Sequence, residues 1–412
     1  MTEHRHPDLV AVRRAVRLLH EVRAAAPVPT AEVLTYPSVS AWLAGTVALL
    51  AGGRAAEARP GRIAAVTATA ALRARFPLVL ELPEAARVAG GVTLPSLYRV
   101  HLGRDRPGPL TIRTSTDGPA TLDGAPDEVR WQAVRRLSTS HAGLSLTVCL
   151  DGIGRFCDCG CAGAEESADD RVDDEWYEHL VVAWRILVDH HRHLAEEVAG
   201  GIRMISPMTG PERGQRSGTF RHAPGCIAMS RPVDGRSAAV TLVHETQHTK
   251  LSGLMNLFPL ITPGPDTRFP APWRSDDRPL DGLLQGMYAH LGVTGFWREQ
   301  RHHEHDPEAA LWAAVEFARW RDGCREVAEL LLGTGRLTDT GRRLVTGVRR
   351  RLDGWYADEV PRRAVSIAAR LAASRHGADG AAAAEADPSG RAGRAGADAG
   401  TGTGRTTIRV RT

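Results

Sequence analysis

Lysine and asparagine are almost missing from this chain. Lys250 is its one lysine and Asn256 its one asparagine, so nearly all of its 52 basic side chains are arginine. GC-rich coding explains such a bias without any arginine-specific role. A basic excess is missing as well. The 48 acidic residues leave a formal net charge of +4, which argues against a nucleic-acid coat protein with concentrated positive charge. No secretory signal is expected: MTEHRHPDLVAVRR is charged and has no apolar core ahead of a small-residue cleavage site. No membrane association is expected either. The longest uncharged stretch, 33–53, is long enough for a span but carries Pro37 and several Ser, Thr and Gly residues. It reads better as a core helix beginning near Ser38. A chain of this length does not need its six cysteines as a disulfide framework, so reduced thiols and a cytoplasmic location are expected. Cys157, Cys159 and Cys161 form the run CDCGC. Structural zinc sites more often use paired C-x2–4-C elements, and no second pair follows, so a loop with free thiols is expected here.

What is present suits a globular protein. Hydrophobic residues make up 42%, enough for a sizeable core, and 412 residues allow two or three domains. Leu9, Val12, Val16, Leu19 and Val22 recur at steps of three and four, predicting a helix over 7–25, with two more at 38–52 and 61–75. The period then shortens. LVLEL at 78–82, the segment 92–102, LTIRTS and LSLTVCL read as strands with Gly and Pro between them. A long helix is expected over 173–199, its apolar face including Trp176, Leu180, Ala183, Leu187, His190 and Leu194. His190, His191 and His193 near its end, and His302, His303 and His305 before Pro307, read as structural and surface clusters. IRMISP and GCIAMS read as short strands, followed by a helix that Ser237 would cap. Further helices are expected at 280–301, 307–332 and 339–374. The Ala-, Gly- and Arg-rich remainder is expected to be disordered. The fold class expected is α+β and predominantly helical. It comprises a small mixed α/β N-terminal half at 1–157, a mainly helical metal-binding domain at 158–374 and a low-complexity tail at 375–412.

The sharpest chemical signal is His244-Glu245-Thr246-Gln247-His248, an H-E-x-x-H string. Val240, Val243, Gln247, Leu251, Leu254 and Phe258 form a stripe at helical spacing, which places the string on a helix. His244 and His248 then lie one turn apart on one face and can converge on one ion. A third ligand must come from elsewhere. His290, in the apolar run LLQGMYAHLGVTGFW, is the leading candidate, because an unpartnered buried imidazole would be costly. Glu299, Glu304, Glu308 and Glu316 are carboxylate rivals.

Three blocks carry a family resemblance: GCIAMSRP, VTLVHETQHTKLSGLMNLFPL and PWRSDDRPLDGLLQGMYAHLGVTGFWR. The chain resembles the HExxH-motif proteins encoded beside ribosomally made, post-translationally modified peptides, which act as Fe(II)- and 2-oxoglutarate-dependent peptide β-hydroxylases. The likeness is specific over 225–298 and looser toward both ends. It departs at Thr246, where such proteins often carry an aromatic residue, and in the loop RSGTFRH, which is less serine-rich. The resemblance implies a zincin-like metal helix, a precursor peptide as substrate, and other peptide-maturation enzymes as looser partners. His244, His248 and His290 would hold iron. Arg274 and Arg278 are candidates for the distal carboxylate of 2-oxoglutarate, since a planar two-pronged donor suits a carboxylate. Glu245 would orient a ligand or a substrate amide.

The bare motif also fits a zinc peptidase, with Zn on the same histidines and Glu245 as general base. The residues after His248 do not continue as H-E-x-x-H-x-x-G-x-x-H, which weighs against that alternative. A third reading is a non-catalytic peptide-binding partner with a structural metal. Its difficulty is that structural zinc usually takes four protein ligands.

Overall fold

The computed structural model describes residues 8–88, 91–102, 108, 110–124, 129–152, 156, 174–210, 215–384 and 406–408. Cys157, Cys159 and Cys161 lie outside these residues. The described chain is α+β and mostly helical. Four helices open it: α1 (Leu9–Ala25), α2 (Pro27–Leu34), α3 (Pro37–Ala51) and α4 (Ile63–Ala74). Pro27 and Pro37 stand in the first turns of α2 and α3, where a missing N–H costs nothing. Nine strands follow: β1 (Leu78–Leu82), β2 (Arg87–Val88), β3 (Gly91–Leu94), β4 (Tyr98–Leu102), β5 (Leu110–Thr114), β6 (Thr121–Asp123), β7 (Val129–Ala133), β8 (Arg135–His141) and β9 (Leu144–Leu150). No single helix among the described residues is long and apolar enough to cross a membrane. α2 and α3 reach that length and composition only together, bent by 64°.

The second half runs α5 (Asp174–His190), α6 (Arg192–Gly201), β10 (Met204–Pro207), β11 (Gln215–Thr219), β12 (Cys226–Met229), α7 (Gly235–Leu257), β13 (Arg268–Phe269), β14 (Arg278–Pro279), α8 (Leu280–Gln300), α9 (Pro307–Gly333), α10 (Asp339–Gly354), α11 (Arg362–Ala384) and β15 (Thr406–Ile408). A six-stranded sheet in the order β15-β11-β12-β10-β9-β8 ties the halves together. β9 and β10, on opposite sides of the boundary expected at 157, pair in parallel as Met204 with Cys149 and Ile205 with Leu150. Because side chains alternate across a sheet, Ile205 and Ile227 enter the helical core while Met204 and Cys226 enter the N-terminal core. The two cores therefore share one sheet.

Several elements differ from the sequence expectation for local reasons. The helix expected over 173–199 breaks at His191, whose backbone leaves the helical region at φ −136° and ψ 43°. The His191 ring is buried against Phe296, and its Nε2 donates to Gln300 Oε1 at 3.0 Å. That tertiary hydrogen bond fixes the break. The cap of α7 is Asp234 rather than Ser237. The Asp234 carboxylate accepts from Ser237 N–H at 2.6 Å, and the Ser237 hydroxyl accepts from Asp234 N–H at 3.0 Å, a reciprocal capping box. The single helix expected over 339–374 is two, separated by a 3-10 turn at Trp355–Ala357 and by Pro361. α11 continues to Ala384, past the boundary expected at 374, and Thr406–Ile408 within the tail forms a strand.

Candidate metal site

α7 is the central helix of the second half, packed by α5, α6, α8 and β11. It is buried nearly all round from Ser237 to His248, so no one-sided stripe distinguishes that part, and at the far end Phe258, the last residue of the expected stripe, faces solvent together with Leu257. Burial sets the chemistry: His244 and Glu245 have no exposed surface. The close approach of α8 is allowed by Gly292, where a Cβ would fall 2.6 Å from Gln247 Cγ.

His244 and His248 do share one face. Their Nε2 atoms stand 3.1 Å apart and their rings cross at 78°. Two nitrogens each about 2.0–2.1 Å from one ion, at tetrahedral to octahedral angles, would lie roughly 2.8–3.4 Å apart. The His290 ring of α8 joins them, its centre 4.9 Å from that of His244 and nearly perpendicular to it. The tautomers of two rings follow from their partners. His248 Nδ1 faces Gln285 Oε1 at 3.0 Å, and Gln285 is oriented by donating its own Nε2 to Ser252 Oγ. His290 Nδ1 faces the Gly286 carbonyl at 2.9 Å. A carbonyl oxygen only accepts, so both Nδ1 atoms carry the proton, and both Nε2 atoms keep a lone pair. His244 Nδ1 is buried without a hydrogen-bond partner.

Burial, with the nearby His248 and His290, pushes the His244 imidazole well below its ordinary pKa. Burial lowers His248 as well, against the opposing hydrogen bond to Gln285. Neutral imidazole is the ligand form. Burial raises Glu245 to about 8, although the Ser217 hydroxyl, donating to its Oε1 at 2.7 Å, pulls the other way. Glu245 Oε2 has no hydrogen-bond partner. Strand β11 fits α7 in length: two strand residues advance about 6.8 Å and four helix residues about 6 Å. Gln215 Nε2 therefore reaches Thr241 Oγ1 at 2.9 Å while Ser217 reaches Glu245, one helical turn on.

Two indoles enclose His290. Trp273 stacks on it at 4.8 Å and 15°, and Trp320 of α9 packs at 4.4 Å. Gly286 makes room for Trp273, since a Cβ there would lie 2.4 Å from the indole. Arg274 follows Trp273 directly, but its Nε donates to Asp276 at 2.7 Å, and Arg278 Nη1 donates to the same carboxylate at 3.3 Å. Partial burial raises the Asp276 carboxyl, yet hydrogen bonds and charge from Arg274 and Arg278 outweigh it and leave its pKa lowered. The two arginines thus converge on one carboxylate, and that carboxylate is the chain's own. Arg274 also lines a cavity of about 150 Å³ with Arg319 and Trp320.

The carboxylate rivals separate by location. Glu299 and Glu308 are exposed, and Glu304 accepts from Gln300 Nε2 at 2.9 Å. Glu316 is buried, accepting from Trp320 Nε1 at 2.7 Å and from Arg319 at 3.2 Å, one indole away from His290. Among the described residues no group of three or more His, Cys, Asp or Glu side chains stands in a metal-holding arrangement. His244 and His248 are a converging pair with His290 beside them. Gln285, Ser217, Trp273 and Trp320 escaped the sequence reading because each reaches the site from an element distant in the chain. For Trp273 a signal was available in PWR and the facing Gly286.

No model of a known protein family matches the chain, and no curated protein matches it at a significant level. The chemistry of these side chains is therefore the ground on which a function can be assigned.

Proposed function

We propose that the chain is a metal-dependent peptide-modifying enzyme, an Fe(II)- and 2-oxoglutarate-dependent β-hydroxylase of a ribosomally made precursor peptide. One observation carries the metal assignment. The Nε2 atoms of His244 and His248 are 3.1 Å apart, and the Nδ1 protons of His248 and His290 are held by Gln285 and Gly286. Fixing the proton on the far nitrogen gives the near one the lone pair that ligation needs, which is how metal-binding histidines are oriented. The donor set fits a divalent ion: three neutral imidazoles leave its charge uncompensated and favour an anionic co-ligand such as a keto acid. Bound iron would supply the redox chemistry that couples 2-oxoglutarate decarboxylation to hydroxylation.

The chain's own side chains have definable tasks in this reading. His244, His248 and His290 hold the ion, Trp273 and Trp320 keep water from His290, and Glu245, tied to β11 by Ser217, orients a ligand or substrate amide. Arg274 would release Asp276 to take the co-substrate carboxylate.

A zinc peptidase is the second reading, favoured by one feature: Glu245 Oε2 is buried with no hydrogen-bond partner, as a base awaiting a bound water would be. Anaerobic reconstitution with Fe(II), followed by 2-oxoglutarate, O2 and precursor peptide, separates the two. Succinate with a peptide heavier by one oxygen atom is expected. Peptide cleavage with zinc and no succinate would overturn the oxygenase.

A further inference from the structure

We infer that the outer edge of β11 is a docking edge for an extended peptide, and that the chain's own segment Thr406–Ile408 occupies it as an internal competitor. This rests on the reading of the chain as a peptide-modifying enzyme. One edge of β11 pairs with β12; along the other, β15 runs antiparallel, with Gln215 opposite Ile408, Arg216 opposite Thr407 and Ser217 opposite Thr406. The backbone directions follow from Arg216. Its N–H donates to Ser230 Oγ at 2.9 Å and its carbonyl accepts from Ser230 N–H at 2.8 Å, both on the β12 side. Successive residues of an antiparallel strand turn their polar backbone groups to opposite sides. Gln215 and Ser217 therefore present theirs to the outer edge, in register with Ile408 and Thr406.

The same two residues send their side chains to the motif helix, Gln215 to Thr241 and Ser217 to Glu245. A segment paired with this edge is thus one side chain removed from the H-E-x-x-H glutamate. Strand addition reads a peptide through its backbone and accepts many sequences, which suits an enzyme that must hold its substrate extended. An open edge is also a hazard for unwanted pairing, and a tethered strand of the same chain covers it. Only 21 residues separate Ala384 from Thr406, so the tail competes at an effective concentration on the order of millimolar. A peptide weaker than that would be excluded, and one that binds better would displace the tail.

The test uses the full chain carrying Thr406→Pro and Ile408→Pro, which removes the two N–H donors in register with Ser217 and Gln215. Two quantities are read: hydrogen exchange at the Gln215 and Ser217 amides, and fluorescence-polarisation affinity for a labelled synthetic peptide of residues 403–412. In the variant, the two amides should lose protection and regain it when the peptide is added. The variant should also bind the peptide at least about tenfold more tightly than the unaltered chain. Equal exchange in the two proteins, or equal affinity, would overturn the inference. Neither readout depends on oxidation. A peptide-binding edge without succinate formation would sink the hydroxylase reading alone, and succinate formation with unchanged β11 amides would sink this inference alone.

Discussion

Histidines gather in two places in this molecule, and the two differ in how their rings meet. His190 and His303 stack at 3.9 Å with planes only 14° apart. An imidazole lone pair lies in its ring plane, so two nearly parallel planes do not bring nitrogens to a common point within bonding distance. His244 and His248 cross at 78° with their nitrogens 3.1 Å apart, and His290 stands nearly perpendicular to His244. Counting histidines along the sequence would rank the stacked group first, since His302, His303 and His305 lie so close together. Ring geometry reverses that ranking. The largest effect should therefore come from His248→Ala, which ought to weaken Fe(II) or Co(II) binding by more than about 100-fold, measured by titration and metal analysis. Retention of a full equivalent of metal would dissolve the distinction between the two places.

His191 supplies the next largest effect. Burial, only partly offset by its hydrogen bond to Gln300, lowers its pKa to about 4 from an ordinary 6.5. The sign follows from proton counts. Between those values the unfolded chain binds a proton that the folded chain does not, so protonation favours unfolding. The stabilisation is present above about pH 6.5 and is lost as pH falls toward 4, to a maximum of about 3 kcal/mol. Urea denaturation at pH 7 and pH 4.5 should show a smaller loss for His191→Gln than for the unaltered chain. Equal losses would mean that the buried imidazole is not the group responsible.

The same contrast shows what could be read from the sequence. Spacing alone placed His244 and His248 on one face, because four residues make about one helical turn, and the apolar run around His290 signalled its burial. Strands β1 and β9 were legible from alternation, and α8 and α9 from their bounding prolines. The break at His191 was not legible, because its cause is Gln300, 109 residues away. The shared sheet was hidden for the same reason, since the parallel pairing of β9 with β10 leaves no local trace. Asp234 was legible in principle: Asp-x-x-Ser is a reciprocal cap, and Ser237 was its inner member rather than the cap itself.

Gln285 tests whether orientation matters as much as ligation. It accepts from His248 Nδ1 and is held in turn by Ser252. Gln285→Leu keeps bulk but removes the acceptor, leaving His248 free to rotate or to exchange tautomers. Metal affinity should fall by about 10–100-fold, and thermal unfolding of the metal-free protein should shift down modestly, because the buried His248 Nδ1 proton loses its acceptor. Unchanged affinity would place His248 under other control.

The smallest effect is expected from His303→Ala, and its smallness is the point. His303 is exposed, and His190 is half-buried beneath it. Burial and the neighbouring His303 lower the His190 pKa, so the stack does not rest on a charged His190. Truncating an exposed ring that leaves no buried polar group behind should change stability by no more than about 0.5 kcal/mol. Metal affinity should be unchanged. A drop in metal binding comparable to that of His248→Ala would mean that the stacked histidines open and ligate in solution, and the geometric distinction between the two groups would fail.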